Sequence, residues 1–316
     1  MNDYQPNKRI NKMKKILFIA PLLTTLLLSG CSSDERAIPA SDHPLVDASV
    51  PLVVESGTLE TGTVTRASST LPDGESIGIF LAGAGYMPVS NRQYTRTSGT
   101  WGPEGGAANT IYLGGATANV CAYHPWTSGL SNSGAIPLTS QEYVATEDIS
   151  FATNESVDGT KSGKSVSFAM KRAYARIKFT VQRSNYSGKG EVQALEVSNL
   201  LPSASLDITS GDYSPKDGTA ATTVSIPKTL TMDATAVSDY ADFLIVPCTP
   251  AGTGMSVKLT VDGQPMTTTL GSGDYTPKAG EWKTVNISVQ GTAINVSSVS
   301  VEDWSKLSTS DIVPKP

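Results

Sequence analysis

Residues 175 to 182 read ARIKFTVQ, and this stretch restricts the fold more than any other. In an extended chain Ala175, Ile177, Phe179 and Val181 fall on one side, and Arg176, Lys178, Thr180 and Gln182 on the other. A sheet with one covered and one wet face requires this two-residue period, and a helix would scatter it. The period recurs in Val166, Phe168 and Met170, in Ile77, Ile79 and Leu81, and in Val285, Ile287 and Val289. Val257, Leu259 and Val261 lead through Asp262-Gly263, a strong hairpin signal, to Met266, Thr268 and Leu270. Phe243 to Val246 is apolar on both sides and predicts a central strand. From Ile294 and Val296 to Val299 and Val301 the period slips by one, and a β-bulge near Ser297-Ser298 restores it. Helical periodicity is almost absent, and 28 Gly and 19 Pro supply the breaks between runs. The expected fold class is all-β.

A chain of 316 residues can bury two cores of ordinary size. Composition shifts over residues 150–163 (SFATNESVDGTKSG), which reads as a linker between a β-sandwich at 50–160 and a second at 164–316. GDYSPK at 211–216 recurs as GDYTPK at 273–278. Gly, Asp and Pro make this either a duplicated turn or a duplicated binding site.

The segment before the first sandwich is not fold. Lys14-Lys15 precede an apolar run, Ile16 to Leu28, that is shorter than the roughly 20 residues a membrane helix needs. Pro21 interrupts it. Residues 1–30 therefore read as a signal peptide. The segment ends Leu28-Ser29-Gly30-Cys31, which resembles the bacterial lipobox. That resemblance implies a thioether-linked diacylglyceride on Cys31 and cleavage just before it. Residues 31–49, polar with two prolines, read as a tether. Asp34-Glu35 resembles a surface-export signal of Bacteroides-type lipoproteins. Without residues 1–30 the chain keeps 19 basic and 28 acidic residues, a net charge near −9. So acidic a body has no electrostatic footprint for nucleic acid.

Chemistry is sparse. The two histidines, His43 and His124, lie far apart, and no Cys/His cluster has metal-ligand spacing. Gly74 to Gly78 (GESIG) has G-x-S-x-G spacing, but it opens the alternating run Ile77, Ile79, Leu81 and not the strand-to-helix turn of a nucleophile elbow, and no calcium-loop pattern is present. Ser225 and Lys228 have S-x-x-K spacing, but Pro227 between them opposes the helix that would stack them. The expectation is no enzyme, no cofactor and no metal. Cys121 and Cys248 lie in separate apolar runs and read as buried free thiols, with a disulfide as the alternative. Tyr123 and Trp126, in AYHPW, read either as packing at a strand end or as a surface contact.

In order, the chain presents a lipobox, a strand, TRASS (65–69), GESIGIFL (74–81), ANVCAYHPW (118–126), SFAMKRAYARIKFTV (167–181) and a closing VEDW (301–304). This order resembles the fimbrillins of Bacteroides-type bacteria, the type V pilins. Lys171-Arg172 stand where a His is common in the corresponding box. The resemblance implies two tandem transthyretin-like Greek-key β-sandwiches and a structural or adhesive subunit of surface fimbriae, in a stalk, tip or accessory role. It further implies a lipidated precursor anchored in the outer membrane and cut after a loop arginine by an arginine-specific surface protease. A neighbouring fimbrial subunit then replaces the lost first strand, and an adhesion target on host or bacterium completes the partners. Here VPLVVESGTL (50–59) supplies such a strand, with Leu52, Val53, Val54 and Leu59, and Arg66 follows among small residues. Arg66 is thus a scissile residue or an ordinary loop residue. The tail SKLSTSDIVPKP (305–316) is a short donor strand or none. The alternative is a surface lipoprotein that does not polymerise and binds glycan or protein, with Trp101, Trp126 or Tyr86 as contacts.

Overall fold

The structure, a computed structural model, describes residues 49–61, 67–160, 164–219, 223–233, 235–271, 275–302 and 304. Cys31, Arg66, the tether and the tail 305–316 lie outside the described residues. Apart from two short 3-10 turns, Gly106–Asn109 and Ala145–Glu147, the regular structure of the described chain is strand: β1 (Val50–Pro51), β2 (Val53–Thr61), β3 (Ala67–Thr70), β4 (Ser76–Ala82), β5 (Val89–Thr97), β6 (Thr100–Pro103), β7 (Tyr112–Leu113), β8 (Ala118–His124), β9 (Ile136–Thr139), β10 (Gln141–Glu142), β11 (Ser150–Val157) and β12 (Ser165–Arg172). There follow β13 (Ala175–Arg183), β14 (Glu191–Ser198), β15 (Ser203–Asp207), β16 (Asp212–Ser214), β17 (Thr223–Ile226), β18 (Leu230–Thr231), β19 (Ser238–Ile245), β20 (Gly254–Val261), β21 (Gln264–Gly271), β22 (Trp282–Gln290) and β23 (Ala293–Glu302).

An eight-stranded sheet runs β3-β2-β12-β11-β8-β4-β5-β6. It curls until Gly57 in β2 meets Trp101 in β6, near its other end. The concave face holds a first core that includes Leu59, Ile79, Val120, Phe168 and Met170. Alternation sends Phe80, Cys121, Tyr123 and Phe151 to the convex face, where they join a second core. That second core lies between the sheet β10-β19-β13-β22-β23 and the sheet β17-β14-β20-β21. At its centre Phe179 meets Phe243 edge-on, with ring centroids 5.8 Å apart. A small sheet, β16-β15-β9, borders the convex face.

The alternating runs form strands as expected, and Phe243 to Val246 is wholly buried. The Asp262-Gly263 turn carries φ of 49° and 78°, the doubly positive pair of a tight hairpin. A bulge lies in β23, where Ser298 faces Asn286 and Val296 faces Ile287, leaving Ser297 over. Val299 returns to the side of buried Val285 yet stays 39 % exposed, and Val301 58 %, because β23 is the outermost strand of its sheet.

Residues 150–157, read from composition as part of a linker, form β11 in the middle of the large sheet. Three exposed polar residues, Asn154, Glu155 and Ser156, hide its strand character in the sequence. Strands also pass between the two halves of the chain. β12 joins the eight-stranded sheet, β9 pairs with β15, and β10 with β19.

Candidate functional site

β2 is an inner strand made from the first described residues. It runs parallel to β12, from Val53 opposite Ser165 to Leu59 opposite Met170, with a bulge at Glu55. On its other side it runs antiparallel to β3, with Thr58 opposite Thr70 and Thr61 opposite Ala67. Residues 62–66 therefore connect two paired strands, and Arg66 immediately precedes β3 in the sequence. Just upstream of β2, the Leu52 amide donates to the Ile111 carbonyl at 2.8 Å. Leu52, Val54 and Leu59 are buried in the first core, whereas Val53 is 42 % exposed because adjacent strand residues face opposite ways. Three of the four apolar residues expected in this strand are thus anchors.

Gly57 has a specific reason to be glycine. A Cβ there would lie 3.0 Å from Cζ2 of Trp101 and 3.6 Å from Cδ1 of Leu71. The β2 backbone rests on the indole, and a glycine within a strand permits such an approach. Trp101 is accordingly 7 % exposed, a core residue and not a surface contact. Tyr123 is likewise fully buried, and its hydroxyl donates to Asn91 Oδ1 at 2.8 Å or to the Thr127 carbonyl at 3.0 Å, accepting from the Thr127 amide. Its burial withdraws it as a surface contact. Trp126 is half-buried and donates through Nε1 to the Asn91 carbonyl at 3.3 Å. Tyr86 is half-buried too, its hydroxyl tied to Ala116 and Gly114. Cys121 and Cys248 are both free and buried, and burial pushes the Cys121 thiol up to about 12. Among the described residues no cluster of three or more His, Cys, Asp or Glu could hold a metal ion. No helix there is long and apolar enough to cross a membrane.

One constellation is invisible in the sequence. Arg172, at the end of β12, forms a buried ion pair with Asp148, and its guanidinium lies 4.4 Å from the Trp304 ring centroid. It also donates to the Trp304 carbonyl at 3.5 Å. Four residues on, Arg176 is held between the rings of Tyr143 (3.5 Å) and Trp282 (4.2 Å) and paired with Asp242 at 2.7 Å. Arg172, where the sequence departs from a common His, and Trp304 of the VEDW segment thus meet in space. The only hint was two arginines on strands otherwise committed to burial.

A cleft of about 300 Å³ opens on the convex face of the large sheet. Asn119, Asn154, Asn132, Ser133 and Thr209 line it above Phe80 and Cys121.

The stacked sheets and the two cores define the class first: an all-β protein of sandwich-like sheets. The family model described as Fimbrillin-like matches residues 65–304, and the chain belongs to that family. A candidate fimbrium subunit of Bacteroides uniformis, Fim1C, is 25% identical over 307 residues, covering 92% of this chain and 96% of its own. Two crystal structures share the fold. A candidate cell adhesion protein of Bacteroides ovatus superposes with a TM-score of 0.60 at 18% identity, over 80% of this chain and 97% of that one. Another, from Bacteroides uniformis, gives 0.52 at 20% identity, over 80% and 99%.

Proposed function

We propose that this chain is a fimbrial subunit exported as a lipoprotein through Cys31 and assembled by strand exchange after cleavage at Arg66. The observation that carries this reading is the placement of β2. It is an inner strand, paired on both sides, yet the chain joins it to the rest of the described body only through residues 62–66. Cutting there would free it together with the lipid. Its departure would uncover the sites of Leu52, Val54 and Leu59, which at about 1.5–3 kcal/mol per side chain amounts to roughly 5–9 kcal/mol. It would also leave β12 and β3 with unpaired edges. A strand from a neighbouring subunit relieves both costs. We retain the finer organisation, two tandem transthyretin-like Greek-key sandwiches, as part of this proposal, with β12 completing the first because Val166, Phe168 and Met170 lie in the first core. The partners are other fimbrial subunits, an arginine-specific surface protease, the outer membrane and an adhesion target.

The tail matches the pattern of β2 in part, with Ser305 falling at the place of Leu52. Val54, Gly57 and Leu59 have the spacing of Leu307, Ser310 and Ile312. In that register the first proline, Pro314, falls where Thr61 ends β2, the position where a strand tolerates it. Ser310 would bring its Cβ near the indole at Gly57's place, and Trp101 would have to give by a few tenths of an ångström.

N-terminal sequencing of protein shed from cells tests the proposal. A start at Ala67 and an SDS-resistant ladder support exchange, and Cys31 as the sole N-terminus refutes it. The convex cleft favours a second reading, a glycan-binding surface lipoprotein. Saccharide binding by the uncleaved chain that is lost in Asn154→Ala would favour it.

A further inference from the structure

Among the described residues, β12 pairs with β2 at six positions, 165 to 170, but with β11 at only two, Arg172 opposite Ser150 and Lys171 opposite Phe151. The wall of the proposed acceptor groove therefore takes most of its registered pairing from the strand that is to leave. What fixes its far end is the knot at Arg172. Asp148, two residues before β11, pairs with the guanidinium. Trp304, 2 % exposed, covers it, and the Ala173 amide donates to the Ile149 carbonyl at 2.7 Å. A buried ion pair adds little net stability, but it fixes geometry when each partner is held in place.

We propose that Arg172, Asp148 and Trp304 are positioning residues for strand exchange: a clamp that holds β12 in register while the groove is empty. The inference rests on the exchange reading and adds a requirement to it. Acceptor competence depends on a tryptophan outside the groove, at the far end of the chain. With β2 present, six registered pairs hold β12 and the clamp is redundant. With β2 gone, the clamp and the two β11 pairs beside it are what keep the wall from fraying.

The test uses the full chain with a site for a sequence-specific protease placed in residues 62–66, so that stripping does not depend on native processing. Amide exchange of residues 165–172 is followed before and after cleavage and removal of the first strand. Rebinding of a synthetic peptide of residues 49–61 reports the groove. In the intact chain, Trp304→Ala and Arg172→Lys should leave β12 exchange within about threefold of wild type. In the stripped chain they should speed it at least about tenfold and weaken peptide binding about tenfold or more, while Trp304→Phe, which keeps an aromatic face, should restore both. Leu270→Ala, a core truncation in β21, controls for general destabilisation and should not affect peptide binding. Equal rebinding by wild type and clamp variants overturns the clamp and leaves exchange standing. So does equal loss of rebinding in Leu270→Ala and Trp304→Ala. Failure of the stripped wild type to bind the peptide overturns both. Should Trp304→Ala not fold, Arg172→Lys carries the test.

Discussion

β2 and β13 occupy the same hydrogen-bonded setting and differ in how firmly they are held. Each has nine residues, with a parallel neighbour on one side and an antiparallel one on the other. β13 pairs with β22 at eight positions and with β19 at seven, and it buries Ala175, Ile177, Phe179, Thr180 and Val181. β2 pairs with β12 at six positions and with β3 at four, and only Val54 and Leu59 of its own span anchor it, with Leu52 just before. An inner position alone therefore does not set how firmly a strand is held. Anchor number and the length of the flanking strands set the cost of leaving, and β3, four residues long, is a weak flank.

The largest effects should separate the two strands. Phe179→Ala removes the ring that meets Phe243 and should cost about 3–5 kcal/mol in denaturant unfolding, in both intact and cleaved chains. Leu59→Ala should cost about 2–5 kcal/mol in the intact chain and nothing once β2 has been removed. A persistent Leu59 effect after removal would mean that the strand never left. Next in size is Gly57→Val, whose branched side chain meets Trp101 and Leu71. It should destabilise the intact chain by about 1–3 kcal/mol and speed loss of the first strand from a chain nicked at 62–66. An unchanged release rate would mean that the indole is not what β2 rests on.

Much of this contrast was legible before the fold was known. The strict alternation of 175–181 announced a core strand, because every second side chain there is apolar and every other one is charged or polar. The close approach of Gly57 to Trp101 came only with the structure. The identity of β2's neighbour was beyond reach, since β12 lies some 110 residues downstream and nothing local encodes parallel pairing over that distance. β11 was hidden by its exposed polar residues, and Trp101 by flanking Gly, Pro and Thr that look like a loop. The Arg172 knot assembles from segments scattered between residues 143 and 304, and no spacing rule brings those together.

A smaller effect should distinguish the two cores by pH. Burial raises the Tyr123, Tyr174 and Tyr240 hydroxyls and the Cys121 thiol to about 12, and all four belong to the second core. Tyr94, in the first core, is also raised by burial. The folded state keeps these protons to higher pH than the unfolded chain, whose ordinary values are 9.0 for the thiol and 10.0 for the phenols. Their contribution to stability is therefore complete below about pH 9 and is lost as pH climbs to about 12. The urea midpoint followed by Trp282 should begin to fall at lower pH than that followed by Trp101. Coincident curves would show that the two cores unfold as one.

The smallest expected effect is the absence of a change, and it bears most directly on whether β2 can leave cleanly. Cys121 lies on β8 between Val120 and Ala122, which face the first core, so its own side chain faces the second. With the thiol raised to about 12, the reactive thiolate is about one part in ten thousand at pH 8. Removal of β2 opens the concave face alone. A thiol reagent should therefore label Cys121 at the same slow rate, within about twofold, before and after stripping. Val166→Cys, whose side chain faces the vacated groove, should go from protected to labelled at least about tenfold faster. Were Cys121 to accelerate along with it, loss of β2 would be unravelling β8, three strands into the sheet, and the groove would not survive long enough to receive a donor.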